Sequence, residues 1–286
     1  MPPKAYSLTR PSRLTSAVVF ASPHSGREYP DTFLQNSVLD RHVIRSSEDA
    51  FVDQLFDCVP EFGAPLLSAT APRAFVDMNR SCDELDPALI YGVKALGSNP
   101  RVASGLGVVP RVVANGRSIY RGKISRDEAD ARIADHWLPY HTQLQSLLDE
   151  AHTEFGESIL VDCHSMPHEA LDSIAKSGAR RPDVVLGDRF GAAAHDEIVD
   201  RIESAFAGAG LHVIRNVPFA GAYITQHYGR PSRQRHAIQV EIDRSIYMDE
   251  ARIVPNANFG AFRNLLRGVV SEIAAISDRA QPMAAE

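Results

Sequence analysis

Two histidines and one glutamate stand where short apolar runs meet polar sequence. His24 lies in Ser-Pro-His-Ser-Gly, His164 in Asp-Cys-His-Ser, and Glu241 in Gln-Val-Glu-Ile-Asp-Arg. Two imidazoles and a carboxylate suit a catalytic zinc site, in which three protein ligands leave one position open for water. A further carboxylate that is not bound to the metal would take the proton of that water. These residue types therefore point first to metal-assisted hydrolysis.

Each of these residues also has a simpler explanation. A single histidine after a strand most often hydrogen-bonds a nearby carbonyl group, although two histidines in matching settings weaken that explanation. Glu241 has a structural ion-pair partner available three residues later, Arg244. The chain contains no His-Glu-x-x-His or His-x-x-Glu sequence. Spacing alone therefore does not fix a metal site.

The elements that must position these residues follow from the alternation of apolar runs with helical patterns. This alternation predicts an α/β fold with a mainly parallel sheet covered by helices on both faces. The predicted strands are residues 17–21, 74–76, 159–161, 184–186, 211–214 and 238–242. The predicted helices cover about residues 46–59, 129–155, 191–207 and 259–276, with Pro139 starting or kinking the second. In such folds reactive groups lie past the carboxyl ends of strands, where His24 and His164 stand.

Residues 85–119 are rich in Gly, Pro and Asn and are predicted to form a long irregular segment. Loops of this length are uncommon in compact domains and often carry function.

Composition excludes several classes of protein. The 286 residues include 30 Lys and Arg against 36 Asp and Glu, a net charge of −6, which argues against nucleic acid as a partner. No apolar run approaches the roughly 20 residues that span a bilayer, so we expect no membrane association. Residues 17–21 are too short for the core of a signal peptide, and a cytoplasmic location is expected. The three cysteines form no Cys-x-x-Cys pair, which excludes a disulfide framework and a structural zinc–thiolate site.

Six motifs occur in the order seen in N-formylglutamate amidohydrolases, and the chain resembles that family from about residue 18 to residue 250. The motifs are Pro23-His24-Ser25-Gly26, Asp77-Met78-Asn79-Arg80, Pro139-Tyr140-His141, Asp162-Cys163-His164-Ser165, Gly221-Ala222-Tyr223-Ile224-Thr225 with His227-Tyr228-Gly229, and Gln239-Val240-Glu241 with Arg244 and Tyr247-Met248. The resemblance implies a single domain over residues 1–286. It also implies a zinc-carboxypeptidase-like or aspartoacylase-like fold, with a mixed, mainly parallel sheet of about eight strands flanked by helices.

The same resemblance implies a function. The family hydrolyses N-formyl-L-glutamate to formate and glutamate, a step of histidine degradation, so the expected partner is a small dicarboxylate substrate. One Zn²⁺ per chain is implied, with another divalent metal left open. The alternatives are another zinc deacylase or carboxypeptidase on the same fold, or a metal-free binding relative. The sequence is compatible with a homo-oligomer and does not decide the point.

The metal ligands implied by the resemblance are His24, His164 and a third residue that the sequence does not fix. Asp49 is our choice, with Glu48 and Glu28 in reserve. Asp49 also fits a competing structural role, because Ser46-x-x-Asp49 reads as a helix capping box.

The remaining roles are those of substrate contact and proton transfer. Asn79 and Arg80 match the pair with which metallocarboxypeptidases hold a substrate carboxylate, a task that suits the fork of arginine. A second carboxylate needs a second cation, for which Arg244, Arg121, Arg230 and Arg233 are candidates. His227 is a candidate substrate contact, Glu241 the candidate catalytic base, and Asp162 a candidate partner for a metal-binding histidine.

Overall fold

Seven strands form one mixed sheet in a computed structural model that describes residues 4–94, 99–175 and 180–277. Their spatial order is β1-β3-β2-β4-β7-β5-β6. The strands are β1 Tyr6–Thr9, β2 Val18–Ser22, β3 Leu66–Ala69, β4 Ser158–Met166, β5 Val184–Gly187, β6 Val213–Arg215 and β7 Arg235–Asp243. A separate two-stranded ribbon consists of β8 Met248–Asp249 and β9 Val254–Pro255.

The central four strands of the sheet, β3, β2, β4 and β7, run parallel. At one edge β1 is antiparallel to β3, and at the other β5 is antiparallel to β7 while β6 runs parallel to β5. The mixed, mainly parallel sheet flanked by helices is therefore confirmed, with seven strands where about eight were expected. The carboxyl ends of four parallel strands consequently meet at one edge of the sheet.

Helices cover both faces of this sheet. They are α1 Asp31–Asn36, α2 Val52–Leu55, α3 Pro100–Ala103, α4 Arg126–Arg132, α5 Leu138–Phe155, α6 Asp172–Ala175, α7 Asp196–Gly208, α8 Tyr223–Tyr228 and α9 Phe259–Ala274. Strand β2 shows the division, because Val18 and Phe20 join the core beneath α7 and α9 while Val19 and Ala21 join the core beneath α5. Burial on both faces explains why such strands read as continuous apolar runs. No helix in the described ranges is long and apolar enough to cross a membrane.

The sequence-based strand boundaries were wrong in two ways. Residues 74–76 form no strand, because the amides of Phe75 and Val76 both donate to the carbonyl of Pro72 and close a turn. Strands β4 and β7 are each nine residues long and extend past the apolar runs that predicted them. As a result, His164 lies inside its strand rather than after it.

Two helix predictions also need correction, and the helix predicted over residues 129–155 changes type along its length. The apolar stripe near residue 52 is shared by the single turn of α2 and a 3₁₀ turn, Val59–Phe62, and Phe51 before them has a left-handed φ of 68°. Helix α7 begins only at Asp196, because Gly191 has a left-handed φ of 83° and the N-cap residue His195 is extended. Helices α4 and α5 are joined by a π-helical turn, Ile133–Trp137, and Pro139 lies in the first turn of α5, which agrees with its predicted place at a helix start.

Gly26 shows how closely the chain is packed beside the end of β2. A Cβ atom at this position would lie 2.1 Å from the carbonyl oxygen of Ala71, which is backbone and has little freedom to move. We expect Gly26→Ala to lower the free energy of unfolding by about 1–3 kcal/mol, because the segment that carries His24 must shift.

Gly268 supplies a matched control for this prediction. It is exposed in the interior of α9, and a Cβ atom added there would have no other atom within 4 Å. Gly268→Ala should raise stability by about 0.5–1 kcal/mol through helix propensity. Urea denaturation of both variants measures the contrast, and equal stabilities would contradict the packing argument.

Candidate active site

A cleft of about 580 Å³ opens at the carboxyl ends of the parallel strands. His24 follows β2 by two residues, and His164 and Glu241 lie near the ends of β4 and β7. All three line this cleft, together with Asp49. The structure therefore brings together residues that lie more than 200 positions apart in the sequence.

Asp49, His24 and His164 form a buried cluster in which one carboxylate faces two imidazoles. Asp49 Oδ2 lies 2.8 Å from His164 Nδ1 and 3.5 Å from His24 Nδ1. The ligand atoms of the three residues all lie within 4.8 Å of one another. His24 Nδ1 is buried and has no hydrogen-bond partner within the described residues. An unsatisfied nitrogen is costly in such a place, which calls for a group that completes the cluster.

The opposite nitrogen of each imidazole is held by a second buried carboxylate. His24 Nε2 donates to Asp77 Oδ1 at 2.8 Å, and His164 Nε2 lies 3.0 Å from Asp162 Oδ2. A carboxylate on the far nitrogen orients the ring and raises the basicity of the nitrogen that faces a metal. Two nitrogens and one carboxylate oxygen are also the donor set that zinc accepts in catalytic sites. The residues present therefore fit a divalent metal.

Asp49 reaches this cluster through the turn that precedes α2. Its backbone amide donates to the carbonyl of His24 at 3.0 Å, which ties the two segments together. The capping box suggested by the sequence is absent, because Ser46 makes no cap and the side chain of Asp49 bonds elsewhere.

The two reserve ligands lie outside the cluster. Glu48 is buried but accepts hydrogen bonds from Tyr29 at 2.6 Å and from Arg45 at 3.0 Å. Glu28 is exposed. Of the three acids considered for the third ligand, Asp49 alone faces both histidines.

Arg244 balances the charge of Asp49 on the side away from the histidines. Its Nη2 donates to Asp49 Oδ1 at 2.8 Å and its Nε donates to the hydroxyl of Ser165 at 3.1 Å. Burial by itself would raise the pKa of Asp49. The hydrogen bond from His164, the neighbouring imidazole of His24 and the charge of Arg244 outweigh burial and hold that pKa well below its usual range. Arg244 is thus committed to Asp49, although it lines the cleft.

Glu241 stands directly opposite His164 in the pairing of β4 with β7. Side chains at paired positions of neighbouring strands point to the same face of a sheet. Gln239 Nε2 donates to Glu241 Oε1 at 2.8 Å, and Oε2 has no hydrogen-bond partner within the described residues. Burial raises the pKa of Glu241 to about 7, with the charges of His164 and Arg73 acting in the opposite direction. Glu241 thus lines the cleft beside the cluster.

Asn79 and Arg80 line the cleft but use their side chains differently. Asn79 Oδ1 accepts from the amide of Ile224 at 2.8 Å, and its Nδ2 lies 3.4 Å from Asp162 Oδ2. Arg80 Nε donates to the carbonyl of Leu106 at 3.0 Å. The amide of Asn79 is therefore held by protein groups, whereas the guanidinium of Arg80 borders the open cleft.

Four other candidates from the sequence lie away from the cleft lining. His227 is exposed and stacks on Tyr223 with ring centroids 5.1 Å apart. It does not line the cleft, and its role in contacting substrate stays a prediction. Arg121, Arg230 and Arg233 are exposed and do not line the cleft.

Sequence reasoning missed two arginines that do line the cleft, Arg73 and Arg101. Arg73 donates to Asp77 at 3.0 Å. Its spacing of four residues before Asp77 was the available signal. Arg101 lies in the irregular segment of residues 85–119. This segment has no hydrophobic periodicity from which the orientation of a side chain could be predicted.

The chain is similar to known proteins over most of its length. The family model for N-formylglutamate amidohydrolases matches residues 16–248. The N-formylglutamate deformylase of Pseudomonas aeruginosa is 31% identical over 263 residues, 90% of each chain. The corresponding protein of Pseudomonas putida is 28% identical over 240 residues, 82% of each chain. A crystal structure of N-formylglutamate amidohydrolase from Ralstonia eutropha JMP134 matches with a TM-score of 0.90 and 32% identity, covering 98% of this chain and 100% of that one.

The sheet and the cleft define an α/β protein whose site has the parts of a hydrolase: a His–Asp–His cluster with a glutamate beside it. The chain belongs to the N-formylglutamate amidohydrolase family.

The pairing of Arg244 with Asp49 generates a stability prediction. We expect Arg244→Ala to lower the free energy of unfolding by about 3–5 kcal/mol, because it leaves a buried carboxylate without its cation. Denaturant unfolding should be measured with a chelator present, so that no bound cation compensates Asp49.

Arg263→Ala is the matched control, since Arg263 pairs with Asp57 at the surface with both side chains more than 40% exposed. An exposed pair contributes only about 0–1 kcal/mol. Similar losses in the two variants would contradict a special role for Arg244.

Proposed function

We propose that this protein hydrolyses the amide bond of N-formyl-L-glutamate to give formate and glutamate. The observation that carries the proposal is the pair of imidazoles around Asp49 Oδ2, with Glu241 opposite His164 on the neighbouring strand. Membership of the amidohydrolase family and the names of its relatives support the substrate. With this activity the protein would act in histidine degradation in the cytoplasm, as a single domain over residues 1–286.

We further propose that His24, Asp49 and His164 hold one Zn²⁺ per chain, with another divalent metal left open. The donor set, the buried Nδ1 of His24 and the carboxylates behind both rings support this. When bound, the ion would supply a Lewis acid that polarises an amide carbonyl and lowers the pKa of water. Asp77 and Asp162 keep the two rings in the orientation that the ligand set needs.

Glu241 is the residue that we assign to proton transfer. Glu241 lines the cleft, and the hydrogen bond from Gln239 Nε2 to its Oε1 restrains the carboxylate. Glu241 would accept a proton from the water that attacks the formyl carbon. It would then donate that proton to the amide nitrogen as the carbon–nitrogen bond breaks, so that glutamate leaves as an amine. A charged Glu241 is needed for the first step, and a nearby divalent cation favours the charged form.

Arg80 is the residue that we assign to binding the glutamate part of the substrate. Its guanidinium is buried and borders the cleft next to Asn79, which in turn contacts the ligand histidine His164. A charge-assisted hydrogen bond to a substrate carboxylate would fix the distance between that carboxylate and the scissile amide. Such remote binding contributes to rate as well as to affinity.

The metal assignment is tested by elemental analysis of protein purified without chelators. His24→Ala and His164→Ala should each lose most of the bound metal while remaining folded by circular dichroism, because one of three ligands is removed. His227→Ala is the control, because this exposed histidine does not line the cleft and should retain full metal content. Full metal content in both folded ligand variants would place the metal elsewhere.

The assignment of Glu241 is tested by Glu241→Gln, which keeps the shape of the side chain but removes its basicity. We expect metal content and melting temperature near those of the wild type, and a fall in kcat of about 10²–10⁴-fold. Glu272→Gln, at an exposed position of α9, controls for the loss of one charge. If the Glu241 variant keeps metal and near-normal kcat, another acid must be the base.

A further inference from the structure

We propose that Arg80 and Arg101 together form a subsite for both carboxylates of the substrate, with Arg101 binding the side-chain carboxylate. The inference rests on the proposed function and names the residue that would select a dicarboxylate over a monocarboxylate.

Two of the four arginines that line the cleft are neutralised by buried carboxylates. Arg244 pairs with Asp49 at 2.8 Å, and Arg73 pairs with Asp77 at 3.0 Å. Neither Arg80 nor Arg101 forms an ion pair with any residue in the described ranges. The cleft thus offers two cations without a carboxylate to a substrate that carries two carboxylates without a cation.

Arg80 is held in place by neutral acceptors. Nε donates to the carbonyl of Leu106 at 3.0 Å, and Nη1 donates to the carbonyl of Asn79 at 2.8 Å. The residue is only 6% exposed. Burial lowers the pKa of Arg80, the charges of Arg73 and Arg101 act in the same direction, and those of Asp77 and Glu84 oppose it. The positive charge of a buried arginine that bonds only carbonyl groups is not neutralised, and a bound anion would stabilise it.

Leu106 connects Arg80 to Arg101. The carbonyl of Leu106 accepts from Arg80 Nε, while its amide donates to the carbonyl of Arg101 at 2.9 Å. Arg101 lies in the short helix α3, where Asn99 Oδ1 accepts from the amides of Arg101 and Val102. These bonds fix the backbone of Arg101 on the same wall of the cleft as Arg80, while its side chain stays exposed.

The order of these groups matches the order of charges in the substrate. From the metal-binding cluster outward, His164 contacts Asn79, Asn79 precedes Arg80, and Arg80 is joined through Leu106 to the exposed Arg101. In N-formylglutamate the amide is followed first by the α-carboxylate and then, three carbons further, by the side-chain carboxylate. Arg80 therefore suits the α-carboxylate and Arg101 the side-chain carboxylate.

Two acids lie near Arg80, and neither fills the subsite. Asp77 accepts hydrogen bonds from His24 and from Arg73. Glu84 accepts from the amide of Ser81 and from Asn99 Nδ2, both of which are neutral donors. It lines a different cavity and is not among the residues that line the cleft.

The test compares two substrates that differ only in the side-chain charge, N-formyl-L-glutamate and the nearly isosteric N-formyl-L-glutamine. We expect Arg101→Ala to lower the preference for glutamate over glutamine, as a ratio of kcat/KM values, by about 10-fold. Arg101→Lys should restore part of the preference. Arg80→Ala should lower kcat/KM for both substrates by about 100-fold, because both carry the α-carboxylate.

Ionic strength provides a second readout that a structural role would not move. The wild-type preference for glutamate should fall as salt is added, because Arg101 is exposed and its charge is screened. The preference of Arg101→Ala should change little with salt. Arg13→Ala, an exposed arginine outside the cleft, controls for the change in net charge and should behave as the wild type.

The outcomes separate this inference from the proposed function. If the wild type hydrolyses N-formylglutamate but Arg101→Ala affects both substrates equally or neither, the subsite is wrong and the proposed function stands. If the wild type hydrolyses neither substrate, the proposed function fails. The arginine pair is then tested by calorimetric binding of glutarate against its neutral-ended analogue glutaramate. Weaker glutarate binding in Arg101→Ala supports the subsite, and unchanged binding overturns it.

Discussion

The carboxylate of Asp49 is the constraint around which this site is organised. Its two oxygens face three different groups, the imidazoles of His24 and His164 on one side and the guanidinium of Arg244 on the other. A buried carboxylate is tolerated only where opposite charge and hydrogen bonds replace water. Arg244 supplies one part of that compensation, and the Nδ1 edge of the cluster is where a cation would supply the rest. The segments that carry His24, His164 and Arg244 are therefore positioned by their contacts with the carboxylate of Asp49.

The register of two strands sets the distance between the cluster and the candidate base. His164 of β4 and Glu241 of β7 are paired positions, and the same pairing places Asp162 opposite Gln239. One pair thus contains a candidate ligand histidine and the candidate base, while the pair two residues earlier, on the same face of the sheet, holds Asp162 and Gln239, which contact them. A shift of one residue in this register would turn Glu241 away from the cleft. The register of the sheet thus sets this half of the site, while His24, Asp49 and Asp77 come from the segments that connect the strands and helices.

The sequence predicted most of the strands of the fold but fewer of the residues of the site. Apolar runs revealed five of the seven strands, because buried parallel strands are continuously apolar, but β1 and β3 were overlooked. His24, His164 and Glu241 were found because they adjoin such runs. The role of Asp77 behind a histidine was missed, since its contact with His24 joins residues 53 positions apart. Arg101 was missed for the same reason: its place on the cleft wall depends on tertiary bonds through Leu106, which leave no local pattern.

The cleft is acidic near the imidazoles and basic at its outer wall, and this difference favours one orientation of the proposed substrate. Around the two imidazoles the acids outnumber the paired cations, because among the described residues Asp49, Asp77, Asp162 and Glu241 form ion pairs with two arginines, Arg73 and Arg244. The outer wall has the opposite balance, since Arg80 and Arg101 have no carboxylate partner in the described ranges. An anion is repelled from the inner part unless a cation is bound there, and it is attracted to the outer wall. A substrate with an uncharged amide at one end and carboxylates at the other can satisfy both parts only with its amide innermost. The electrostatics of the cleft thus favour the one orientation in which the scissile bond reaches Glu241.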